Sequence, residues 1–127
     1  MQRWILNTGV FVLSLGLIAG SVRYAQGQEE RRSVDPQMIY RQINRDYFAG
    51  QLEDANVQWQ DLTAASDRGE TILSQGTTVI LIDPTVNDTE SETRKTINHE
   101  ACHVYLADKS QDHGPQFQAC MARFKLK

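Results

Sequence analysis

His99, His103 and His113 are the only histidines in the chain, and all three fall inside one 15-residue window. Histidines scattered over a solvated surface rarely cluster in this way. His99, Glu100 and His103 spell HExxH, which on an α-helix sets two imidazoles four residues apart on one face with Glu100 about 100° further round. Both imidazoles then reach one divalent metal. A zinc ion that does chemistry takes three protein ligands and keeps a fourth position for water, so the motif is one ligand short. His113 supplies it from DHGPQF, residues 112–117, where Gly114 permits an unusual backbone and Pro115 starts a new helix. Asp112, beside it, is a candidate to orient an imidazole. A bare HExxH also occurs on charged, solvated helix faces. Here Ile97, Ala101, Val104 and Tyr105 form an apolar flank, which turns the histidines away from the packing side and toward a cleft. One zinc per chain is expected.

Upstream of this window the sequence divides early. Residues 1–27 read as a signal peptide or an N-terminal membrane anchor: Arg3 precedes a largely apolar run from Ile5 to Ala19, and Ala25-Gln26-Gly27 offers small residues at a cleavage spacing. The run is short for a membrane span, which favours cleavage over anchoring. Residues 28–34 form a polar linker, and residues 35–127 are left to fold. Setting the leader aside removes Arg3 and Arg23 from the 13 basic residues, so the body carries 11 against 16 acidic ones, a net charge of −5. That is the wrong sign for a phosphate backbone, and no nucleic-acid partner is expected.

Within the body, Asp35-Pro36 marks a helix start, with the carboxylate at the N-cap and proline at the first helical position. Ile39, Ile43 and Tyr47 recur at four-residue steps to Phe48, and Gly50 is placed to end the helix in the left-handed region. Val57 to Trp59 reads as a short strand with Trp59 packed on the first helix. Thr71 to Leu73 and Thr77 to Ile82 read as an antiparallel pair around Ser74-Gln75-Gly76. The almost wholly apolar TTVILI predicts a central strand buried on both faces and stopped at Asp83-Pro84. Asn87-Asp88-Thr89 matches a glycosylation sequon but reads as a loop. Thr89 and Glu92 form a capping-box pair opening the metal helix, expected to run to about Ala107. Lys109 to Asp112 returns the chain to the metal, and Pro115 to Lys125 forms a last helix with Phe117, Cys120, Met121 and Phe124 on its buried face. Spacing does not decide the state of Cys102 and Cys120. Two small buried apolar residues come first, a disulfide second, and zinc ligation last because three histidines suffice.

HEACH followed by DHGPQF resembles the SprT-like (Spartan-type) zinc metallopeptidases, whose pattern is HExxH, a short excursion, then HGPxF. Tyr40 to Leu52, YRQINRDYFAGQL, is similar to the family's opening helix, Val57 to Trp59 to its first strand, and Gly69-Glu70-Thr71 with Thr78 to Asp83 to its central strands. The resemblance covers about residues 35 to 125. It implies a zincin-like α+β single small domain, a helix packed on a small, mostly antiparallel sheet, with the HExxH helix and a C-terminal helix. It carries the zinc ligands onto His99, His103 and His113 and the catalytic glutamate onto Glu100. The DNA-linked roles of some members do not fit the leader and the acidic balance. The expected activity is hydrolysis of peptide bonds in extended or unfolded protein, with the protein exported to the periplasm or outside the cell, or anchored facing outward if the leader is retained. The membrane then enters only through that leader. The competing class is a zinc-stabilised module that binds a peptide or partner without turnover. Glu100 favours the enzyme, since a structural zinc usually has four protein ligands and no use for a carboxylate there.

Overall fold

A computed structural model describes residues 33–107 and 112–126. The leader, most of the linker and the excursion at 109–111 lie outside the described residues. The elements, in order, are α1 (Pro36–Phe48), β1 (Ala55–Trp59), β2 (Gly69–Ser74), β3 (Thr77–Ile82), α2 (Glu90–Leu106) and α3 (Pro115–Ala122), with short 3-10 turns at Thr63–Ala65 and Arg123–Lys125. Together they form a small α+β domain. The helix starts follow from local chemistry. Asp35 Oδ1 accepts the Gln37 and Met38 N–H groups at 2.9 and 3.2 Å, and Thr89 Oγ1 accepts that of Glu92 at 3.2 Å. Glu92 does not close the expected box: its carboxylate pairs with Arg68 and Lys95 instead. At the end of α1 the left-handed position is taken first by Ala49 (φ 54°) and then by Gly50 (φ 75°). Beyond Ala122 the last helix tightens into a 3-10 turn.

The sheet order is β1-β3-β2, so β3 is central as expected. The sheet is mixed rather than mostly antiparallel. Residues 60–68 carry the chain across to the far side of β3, so β1 runs parallel to β3 while β2 returns antiparallel through the two-residue turn at Gln75-Gly76. Gly76 takes a positive φ there. Burial on both faces of β3 is not found. Thr78, Ile80 and Ile82 are buried against the helices, whereas Val79 and Leu81 on the other face are half-buried.

One core holds the layers together: Ile39 and Ile43 of α1, Ile80 and Ile82 of β3, and Ile97 and Ala101 of α2 are each at most 2 % exposed. Trp59 is half-buried at the margin of this cluster. Tyr105, expected on the packing flank of α2, is 44 % exposed and lies against the Phe48 ring with Arg123 stacked over it. Cys102 and Cys120 are joined in a buried disulfide rather than sitting free, because α3 packs on α2 with the two side chains face to face in the core.

A buried polar network sets the start of α2 against the sheet. Asn87, fully buried, donates to the carbonyls of Arg68 and Asp83 at 2.9 and 2.8 Å and accepts from the Thr96 hydroxyl at 2.5 Å. Asp83 N–H in turn donates to Arg68 C=O at 3.0 Å. A side chain with both ends engaged in the interior is closed to glycan attachment, in keeping with the loop assignment for the sequon. Its consequence for the site is the position of Gly69.

Candidate metal centre

The expected ligands converge. His103 Nε2 lies 3.3 Å from both His99 Nε2 and His113 Nε2, and the ligand atoms of all three lie within 4.8 Å of one another. His99 and His103 are one turn apart on α2, while His113 arrives from the turn that opens α3. Nitrogens at ~2.0–2.1 Å from a tetrahedral zinc stand about 3.3 Å apart, so two edges of the triangle already match that ion. Burial also prepares the donors. It drives the His99 pKa down to about 4, helped by His103 and then His113, and lowers that of His103 with a further push from His113. Both are neutral at pH 7, the state that ligates a metal.

Phe117 forms the floor. Its ring, 3 % exposed, is 4.8, 4.7 and 4.5 Å from the imidazole centroids of His99, His103 and His113. Contacts of this kind fix ring planes without using the ligating nitrogens. Asp112, the candidate for orienting an imidazole, instead accepts the N–H of Gly114 at 3.3 Å and shapes its own turn.

Glu100 is 4 % exposed and faces β2, where the Thr71 hydroxyl donates to its Oε2 at 2.7 Å. Burial pushes its pKa up to about 7, the Thr71 bond pulls it back, and Asp67 and Glu70 push it up further. The close approach of strand and helix depends on Gly69. A Cβ at that position would sit 2.7 Å from Thr96 Cγ2 and 3.1 Å from Glu100 Oε1. Thr71 and Gly69 carried no sign of this role in the sequence, since each meets Glu100 or its neighbours across about thirty residues of chain.

In front of the histidines lies a cleft of about 410 Å³ lined by Asp67, Gly69, Glu70, Thr71 and Glu100. It shares Asp67, Gly69, His99 and Glu100 with a second hollow of about 440 Å³ that continues along α2 to Lys95 and Glu92. The two sheet edges differ in access. On β1 the Gln37 amide engages Ala55 C=O at 3.0 Å and Val57 N–H at 2.9 Å, covering that edge. On β2, which among the described residues has a strand partner on one side only, Gly69, Glu70 and Thr71 line the cleft.

The model of the SprT-like family matches residues 37–127, a span that runs from the second residue of α1 through α3. A search of curated proteins found no match.

Proposed function

The chain belongs to the SprT-like family, and from that premise we propose that it is a zinc-dependent metalloendopeptidase acting on extended or unfolded protein. The observation that carries the proposal is the convergence of three imidazoles beside a buried carboxylate whose pKa is pushed up to about 7. His99, His103 and His113 hold the metal, which when bound supplies Lewis-acid polarisation of a carbonyl and lowers the pKa of water from ~16 toward ~7. Glu100 is the general base. Thr71 anchors Oε2, so the other oxygen is left to take the proton of the attacking water and to return it to the leaving amine. The substrate backbone pairs with β2 as an added strand, so a preference for extended chains over particular side chains is expected.

The test is cleavage of an unfolded protein by the full chain with zinc supplied and with a chelator as control. Chelator-sensitive cleavage is the expected result. If nothing is cleaved in any condition while peptide still binds, the domain is a zinc-stabilised binding module and the peptidase proposal fails.

We further propose that the protein works outside the cytoplasm. The leader motif supports this, and so does the Cys102–Cys120 disulfide, a bond that persists chiefly in oxidising compartments. Residues 1–30 fused to a reporter active only after export are expected to give signal in the native host. Retention of the full chain in the cytoplasm would overturn it.

A further inference from the structure

The zinc ligands come from two separate pieces of chain. His99 and His103 are built into α2, whose core face is buried from Ile97 to Val104. His113 is exposed and stands on the turn before α3, a helix of eight residues. Two turns are too short to be stable by helix propensity, so the place of His113 depends on how α3 is fastened to the rest. Two fasteners are within reach of the ligands. Phe117 packs beneath the imidazoles, and one turn further on Cys120, 2 % exposed, is bonded to Cys102, 0 % exposed. Cys102 is the residue immediately before His103. The covalent tie between the two ligand-bearing pieces is therefore made beside the central ligand of the three.

We propose that the Cys102–Cys120 disulfide is a positioning element of the metal centre, holding the His113 arm in register with the α2 ligands before metal arrives. This rests on the zinc reading of the three histidines. The tie limits the excursions of α3 to those that keep Phe117 under the rings, so His113 meets the metal as a preset third ligand and not as a mobile arm recruited afterwards. Its sulfur atoms do not enter the coordination shell. They act through the backbone of α3.

The test compares zinc affinity, by competition with a chromophoric chelator, in four full-length chains: the wild type, Cys102→Ala with Cys120→Ala, His113→Ala, and the triple combination. Removing the disulfide is expected to weaken zinc binding by about 10- to 100-fold, the range seen when supports of metal ligands are removed. His113→Ala is expected to cost the wild type a much larger factor than it costs the disulfide-free chain, because the arm it removes is already displaced. Equal factors in the two backgrounds, or unchanged affinity in the alanine pair, would overturn the proposal and leave the bond a plain stabiliser of the fold. Should the alanine pair fold only with zinc present, the same comparison is made on release rates from loaded chains into excess chelator. A wild type that binds no zinc would remove the premise itself, an outcome distinct from zinc held equally well with and without the disulfide.

Discussion

Glu100→Gln is expected to lower peptide cleavage by about 10²- to 10⁴-fold, the contribution of a positioned general base, while the chain keeps one zinc. The amide has the shape of the carboxylate and can still accept the Thr71 hydrogen bond, so the cleft and the three imidazoles stay in place. What it lacks is a site for the proton. Substrate affinity is expected to be kept, since in the proposed binding mode the substrate backbone pairs with β2 and not with Glu100. The same substitution has the opposite effect on the stability of the metal-free protein. The folded protein raises the Glu100 pKa from 4.5 to about 7, mainly by burial, and so binds this proton more tightly than the unfolded chain does. Stability from the protonated form is complete below about pH 4.5 and is lost as pH rises through about 7, a difference of roughly 3 kcal/mol. His99, with its pKa lowered to about 4, has the reverse trend, but it is common to both proteins and drops out of the comparison. Without zinc, Glu100→Gln should therefore be the more stable protein at pH 8, with the gap closing toward pH 4.5. Denaturant titrations of the metal-free proteins at the two pH values measure it. Normal turnover in the Gln variant would sink the general-base role, and a metal-free wild type more stable than the variant at pH 8 would contradict the buried, strained carboxylate.

The parts of this molecule that sequence reasoning reached are those set by neighbours along the chain. Asp35-Pro36 predicts the start of α1 because an N-cap carboxylate answers donors two and three residues ahead, and Asp35 does so. The imidazole pair on α2 follows from helical spacing alone. Several features that sequence reasoning missed are decided by contacts between residues well apart in the chain. The direction of β1 depends on which side of β3 the 60–68 connection reaches, and no local pattern records that. Tyr105 has the spacing of a core residue, yet it lies at the rim, where Arg123 from the far end of the chain stacks on it. Cys102 and Cys120, 18 residues apart, acquire their bond from the docking of α3. Thr71 and Gly69 belong to the same class: a threonine in a strand and a glycine before one look ordinary until α2 is laid across them. Phe117 was legible as apolar and buried, but its place beneath three imidazoles requires the return of the chain after α2.

His103→Ala is expected to cost zinc, thermal stability and activity together, and to cost more than either His99→Ala or His113→Ala. His103 Nε2 is the atom 3.3 Å from both of the others, so its removal leaves two imidazoles with no ligand between them, whereas removing an outer one leaves an adjacent pair. His103 is also the most buried of the three, and its loss opens space above Phe117. Since the unfolded chain has no preformed site, the free energy of zinc binding appears as folding free energy. At zinc a thousandfold above its dissociation constant that is about 4 kcal/mol, which in a domain of this size moves Tm by roughly 15–30 °C. A chelator should lower the wild-type Tm by that amount and leave His103→Ala almost unmoved, because the variant has no bound metal to lose. The converse follows for the metal-free proteins. With no ion between them, the ring nitrogens contribute little to the fold, and wild type and variant should then differ only by the packing over Phe117. A chain lacking all three histidines that still carried one zinc, with the same response to chelator, would show that the metal lies elsewhere and would end the assignment of this centre.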